Sequence, residues 1–203
     1  MSSETPTPSW RQRAAFILAS ASPRRRQLLE AAGYSFHVEP STVDESQVPT
    51  EGLSPADCAG CLALAKARDI AWRRPDRLVL GADTLVHCDG RIIGKARDAE
   101  HAERITRLLF GRPHEVITGL ALVWIDRDIE IVEADVTVVY PRPMSDEDLA
   151  RHVASQRWQD KAGAYAIQED DAFIERLEGS FSNVVGLPME LLARMFDRLR
   201  LEF

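Results

Sequence analysis

Phe16-Ile17-Leu18-Ala19-Ser20-Ala21-Ser22-Pro23-Arg24-Arg25-Arg26 is the stretch on which the fold turns. The apolar run Ala15–Ala19 is too short for a helix and fits a buried strand. Ser22 then stands as a helix N-cap, with Pro23 at the first helical position, where its missing N–H leaves no bond unmade. The predicted helix runs to about Ala32 and stops at Gly33, a residue that takes the left-handed conformation easily. A strand that feeds a helix directly is the unit from which a sheet with packed helices is assembled.

The rest of the chain repeats that alternation. Tyr34–Glu39 reads as a strand and Pro40–Gly52 as a polar, acid-rich loop. Ser54-Pro55 opens a second capped helix to about Trp72, and Arg77–His87 is a strand turned at Asp89-Gly90 into Arg91–Ile93. Asp98 caps a helix to Phe110, closed by Gly111, and Glu115–Ile125 and Ile129–Tyr140 are two long strands. Ser145 with Asp148 starts a helix through Val153. A short hairpin near Phe173–Leu177 and a helix over Pro188–Leu199 follow. The fold class is therefore α/β: a mixed, twisted central sheet flanked by helices.

Composition bounds the function. The chain has 203 residues, 32 acidic and 25 basic, for a formal net charge of −7. A single domain over 14–203, preceded by a flexible tail over 1–13, accounts for that length. The acidic balance argues against a nucleic-acid partner, which asks for a basic face. The longest charge-free stretch, Gly179–Met189, is too short to span a membrane. Three cysteines do not make a disulfide framework, and Cys58 and Cys61 fall inside a capped helix, where packing is their ordinary use. Near the N-terminus, Ala14–Leu18 is shorter than the roughly 7–15 apolar residues of a signal peptide, and Glu4 interrupts its leading region. The expected compartment is the cytoplasm.

The chemistry concentrates in a few segments. Arg24, Arg25 and Arg26 lie in a helix's first turn, where they oppose the macrodipole. A phosphate-bearing ligand at that N-terminus would reconcile them, with Ser20 and Ser22 adding hydroxyls; a solvated basic turn is the bland alternative. In Val79-Leu80-Gly81-Ala82-Asp83-Thr84-Leu85-Val86, a carboxylate interrupts an apolar strand, which is costly unless it is paired or metal-bound. Gly81 and Ala82 remove bulk beside it and would let a ligand approach. Otherwise Asp83 simply bonds its own turn.

Gly90-Arg91-Ile92-Ile93-Gly94-Lys95 fails as a P-loop, because its glycines are one residue too close and no hydroxyl follows the lysine. Lys95 remains a lone ammonium able to reach a phosphate. Glu45 in the acidic loop and Asp83 would supply the one or two carboxylates that Mg²⁺ takes beside substrate phosphates; Lys66 lies on the second helix, where a charge is ordinarily solvated. Gln168 ends the small-residue loop begun at Asp160 and carries a donor–acceptor pair suited to a base edge.

Together these segments resemble the Maf (septum-formation-inhibitor-like) nucleotide pyrophosphatases. The matching pieces stand in the family's order: Leu18-Ala19-Ser20-Ala21-Ser22-Pro23-Arg24-Arg25, Gly81-Ala82-Asp83-Thr84, Ile93-Gly94-Lys95, His114-Glu115-Val116-Ile117-Thr118-Gly119, Asp160-Lys161-Ala162-Gly163-Ala164-Tyr165 and Asn183-Val184-Val185-Gly186-Leu187-Pro188. The resemblance implies two lobes about a deep cleft, a homodimer, and Mg²⁺- or Mn²⁺-dependent hydrolysis of nucleoside triphosphates to monophosphate and diphosphate. It implies Asp83 as general base and Glu45 and Asp83 as metal ligands. Arg25, Thr84 and Gln168 match positions of substrate selection, while Arg24, Glu45, Lys66 and Lys95 match positions lining the phosphate and metal site.

The segment ending in Gln168 is similar to the dTTP/UTP branch. A 7-methyl-GTP pyrophosphatase and a nucleotide-sensing regulator of cell division that does not hydrolyse are the alternatives. Ala96, Leu64 and Glu169-Asp170-Asp171 depart from the family's pattern.

Overall fold

The structure, a computed structural model, describes residues 15–159, 161–165, 167 and 173–201; the predicted tail, Gln168 and Glu169-Asp170-Asp171 lie outside the described residues. β1 (Phe16–Leu18) is buried throughout, and α1 (Pro23–Ala31) begins as expected, with Ser22 accepting from the Arg25 N–H. β2 (Phe36–Val38), α2 (Pro55–Ala71), β3 (Val79–Cys88), β4 (Arg91–Ile93) and α3 (Ala99–Leu109) follow. β5 (His114–Trp124), β6 (Ile129–Pro141), α4 (Asp146–Ala154), β7 (Ile174–Glu178), α5 (Phe181–Val185) and α6 (Met189–Leu201) complete the chain.

The seven strands form one mixed sheet in the order β2-β1-β3-β5-β6-β7, with β4 paired to β3. β1 runs parallel to β2 and β3, because helical crossovers join these strands. The remaining pairs are antiparallel. The mixed sheet flanked by helices agrees with the sequence expectation.

Two differences concern the C-terminal third. Near Phe173–Leu177 the described residues form one strand, β7, which pairs with β6, with Val139 opposite Leu177. β6 offers a free edge there, and after Gly179, whose φ of 132° suits glycine, the chain leaves the sheet. α5 went unpredicted, since five residues are too few to display a helical period.

Strand alternation sorts the core. Leu80, Ala82, Leu120 and Leu122 pack with Leu29 of α1 and with Leu192 and Met195 of α6 on one face. Val79, Ala121 and Val123 pack with Ala63, Ala67 and Ile70 of α2 on the other. Farther along the same strands, Val86 and Val116 join Ile105 and Leu109 of α3, together with Trp158 and Tyr165, in a separate cluster. β3 and β5 thus run through both halves of the molecule, and their middle residues fall between the cores.

α2 lies almost on the sheet backbone. A Cβ at Gly81 would stand 2.1 Å from Ala63 O, and one at Gly119 would stand 2.3 Å from Ala59 O. Gly81 is therefore glycine to admit a helix, not a ligand, which corrects the sequence expectation. Ala82 likewise is buried in the core rather than clearing a path.

Candidate functional site

β1 pairs with β3 as far as Leu80, and β4 takes up the same edge only at Val86. The opposite edge is covered continuously by β5. Residues 81–85 therefore have a partner strand on one side alone, and a cleft of about 850 Å³ lies against this gap. Its walls include Ser20, Arg24, Arg25, Glu45, Lys66, Asp83, Thr84 and Lys95. Seven residues scattered along the sequence, and Asp83 with them, thus share one cavity. Asp83 and Thr84 are consecutive and so point to opposite faces of the sheet; the cleft reaches both because the edge between them is open.

Asp83 takes the face of Gly81, toward α2. The residue is buried (7% exposed), and Lys66 Nζ donates to its Oδ1 at 2.5 Å. The same ammonium stands 2.7 Å from Glu45 Oε1. The close approach permitted by Gly81 and Gly119 is what brings Lys66 within reach. Burial opposes the charge on Glu45, yet the hydrogen bond and charge of Lys66, with Lys95 and Arg25 beyond, hold its carboxyl below the ordinary value.

The loop bearing Glu45 is tied down by a second residue of α2. Asp69 Oδ2 accepts from Ser41 Oγ at 2.9 Å and from the Thr42 N–H at 2.8 Å. Asp44 then caps the 3₁₀ turn Glu45–Gln47. Nothing in the sequence singled out Asp69. A carboxylate on a helix is normally solvated, and only the path of the loop gives it partners.

On the other face, Arg25 is held by three protein acceptors: Nε donates to Gly186 O at 2.8 Å, Nη1 to Ser20 Oγ at 2.9 Å, and Nη2 to Thr84 Oγ1 at 3.1 Å. Burial pushes its pKa down, and Asp83 opposes that while Arg24 reinforces it. Of five guanidinium N–H groups, these bonds leave two for a ligand. Gly186, at φ 120°, ends α5 and aims its carbonyl at Arg25. Arg26 corrects the picture of three convergent arginines: it pairs with Glu30 on the exposed side of α1 and takes no part in the cleft lining.

Lys95 is bridged through its backbone to Ala162, which sets it on the cleft's lip beside Lys161 and Gln159. Nothing in the sequence marks Lys161 for the cleft, since a lysine in a loop is ordinarily solvated. The loop behind is anchored by histidines: Tyr165 OH donates to His114 Nε2 at 2.9 Å, and His152 Nε2 donates to Ala164 O at 2.8 Å. Nδ1 of His114 faces Arg112 O at 3.4 Å, and a carbonyl only accepts, so in the neutral ring the proton sits on Nδ1 and Nε2 accepts. Burial lowers the His114 pKa, against the carbonyls of Arg112 and Leu109. Gln168 follows this loop, outside the described residues. Cys58, Cys61 and Cys88 are free thiols; burial pushes Cys58 and Cys88 up, away from the thiolate form.

The donor set fits a hard divalent cation. Two carboxylates already share one positive group, Lys66, and oxygens of a phosphate would complete a coordination shell. Among the described residues no three His, Cys, Asp or Glu side chains converge, so such an ion would be held jointly by protein and ligand. No helix among them is long and apolar enough to cross a membrane.

The chain matches the family described as Maf-like protein over residues 15–199. It is 47% identical over 185 residues, 91% of this chain and 93% of the relative, to a protein of Geobacter sp. (strain M21) named dTTP/UTP pyrophosphatase. A protein of Geobacter metallireducens with the same name is 48% identical over 174 residues, covering 85% of this chain and 90% of its own length. One of Salinibacter ruber, also so named, is 42% identical over 189 residues, 92% of this chain and 90% of its own length. A match of this extent, to a chain whose cleft is lined by residues from one end of the match to the other, has one meaning: the protein belongs to the Maf family.

Proposed function

We propose that this protein is a nucleoside triphosphate pyrophosphatase that hydrolyses dTTP and UTP to the nucleoside monophosphate and diphosphate. The names of its relatives support the substrate. The observation that carries the reaction is the buried Asp83–Lys66 pair facing arginines across a single cleft.

Hydrolysis requires a water in line with the α-phosphorus, neutralised phosphoryl oxygens and a stabilised leaving group. Lys66 holds Asp83 Oδ1, leaving Oδ2 to take the proton as the water oxygen bonds to phosphorus and the bridge to the β-phosphate breaks. Arg24, Lys95 and the two remaining N–H groups of Arg25 meet the phosphoryl oxygens, and Ser20 holds Arg25 in place. Glu45 and Asp83 would hold Mg²⁺ or Mn²⁺ against the triphosphate; when bound, the ion neutralises charge on the phosphoryl oxygens. Thr84 and Gln168 act in substrate choice. The enzyme is proposed to work as a homodimer in the cytoplasm, with no nucleic-acid partner.

The test is diphosphate release from dTTP, UTP, CTP and 7-methyl-GTP in Mg²⁺, with wild type beside Asp83→Asn. General-base loss costs on the order of 10²–10⁴ in rate, so the variant should nearly stop while keeping its fold. Release from 7-methyl-GTP in preference to UTP, or tight triphosphate binding without release, overturns the reading.

A further inference from the structure

Thr84 and Thr118 face each other as a register pair across β3 and β5, with hydroxyl oxygens 3.0 Å apart. Their other partners decide which one donates. Thr118 Oγ1 donates to Asn183 O at 3.1 Å, and a carbonyl oxygen only accepts. The single proton of Thr118 is thereby committed, so toward Thr84 it must accept. Thr84 then donates to Thr118 while accepting from Arg25 Nη2. Its proton points into the sheet, and it shows the cleft a lone pair.

Thr118 is fully buried and takes no part in the cleft lining. It acts on a ligand only through Thr84. The carbonyl that fixes its proton is itself fixed: Asn183 Nδ2 donates to Val116 O and to Thr137 Oγ1, both at 2.9 Å. Thr137 in turn donates to Ser180 O at 3.1 Å. Every proton in this chain of buried groups has one direction, so the orientation at Thr84 is built in rather than free to rotate.

We propose that Thr118 is a positioning residue for substrate choice: by holding the Thr84 proton away from the cleft, it makes Thr84 an acceptor that selects a ligand presenting an N–H. The inference deepens the dTTP/UTP reading and rests on it. Uracil and thymine carry an imide N–H at N3, whereas cytosine has an acceptor there. Two acceptors facing each other leave a desolvated polar group unmatched. Val86, Ile93, Val116 and Val184 wall the cleft on the sheet's far half, an apolar place for a flat ring.

The experiment measures affinity rather than turnover, using the α,β-imido analogues of UTP and CTP by calorimetry in Mg²⁺. Wild type, Thr118→Val and Thr118→Ser are compared, with thermal melting of each. Asn183 O also accepts from the Gly186 N–H at 2.9 Å, so removing the Thr118 hydroxyl does not orphan it. The expected result is a preference for the UTP analogue that falls about tenfold in Thr118→Val, because the freed Thr84 proton can then serve cytosine. Thr118→Ser keeps the wild-type ratio.

An unchanged ratio in a folded Thr118→Val overturns the proposal, as does an equal loss in both variants. Should Thr118→Val not fold, Thr118→Ala carries the same reading. A wild type that binds both analogues but never releases diphosphate from UTP sinks the hydrolase assignment alone and leaves this comparison intact.

Discussion

Lys66 and Asp83 are 17 residues apart in the chain and 2.5 Å apart in space. One ammonium joins the carboxyl on the central strand to Glu45 on the acidic loop. Both carboxylates face the cleft, and without that cation they would repel each other. Lys66→Met is expected to lower kcat/KM for UTP by about 10²-fold or more, because misplacing a reacting group by about 1 Å has that effect. Diphosphate release at saturating Mg²⁺ measures it, and near-parental rates would remove Lys66 from the site.

Asp69 holds the Glu45 loop through Ser41 and Thr42 without lining the cleft. Burial disfavours its charge, but the Thr42 N–H, the Ser41 hydroxyl and Arg73 outweigh that and keep the carboxyl below its usual range. Asp69→Ala should release the loop. Amide exchange over residues 41–48 is expected to quicken, and the Mg²⁺ concentration for half-maximal rate to rise about tenfold, while the rate at saturating Mg²⁺ changes little. Unaltered exchange in the variant would show the loop to be held by other contacts.

Gly119 is the tightest meeting of helix and sheet after Gly81. A methyl there would stand 2.3 Å from backbone atoms of Ala59, which cannot swing aside as a side chain can. Gly119→Ala is expected to cost roughly 1–3 kcal/mol or more in stability. Gly94→Ala, with nothing within 4 Å of the new carbon, should stay within about 0.5 kcal/mol of wild type. Urea unfolding of both variants makes the comparison.

His114 ties stability to pH. Burial lowers its pKa from the ordinary 6.5, so in acid the unfolded chain takes a proton that the folded chain resists. Its contribution is fully present above pH 6.5 and is lost as the pH falls from there toward the lowered folded value. Protonation would also turn Nε2 from an acceptor of the Tyr165 hydroxyl into a donor. Thermal melts between pH 8 and pH 5 should show a falling midpoint that His114→Asn, which does not titrate in this range, flattens. Parallel curves for the two proteins would contradict this.

Local chemistry made much of the fold legible before any coordinates. Ser22, Ser54, Asp98 and Ser145 announced four helix starts because a capping side chain bonds the backbone within its own first turn, and all four do so here. Asp89-Gly90 announced its turn through backbone conformation instead, both residues having the positive φ that such a turn requires. The pairing of β7 and the helix α5 were not legible: one depends on the free edge of β6, the other on five residues with no period to read.

The candidate site divides in the same way. A charge in an apolar strand and arginines at a helix mouth pointed to Asp83 and to Arg24, Arg25 and Arg26 from residue type alone, since burying or misplacing charge is unfavourable wherever it happens. Tertiary structure alone decided that Gly81 serves a helix and that Arg26 turns away. It also decided that Asp69 holds a loop and that a fully buried threonine sets the proton of one at the cleft. Those are contacts between segments distant in the chain, and a hydrogen bond's direction depends on partners that no single stretch of sequence contains.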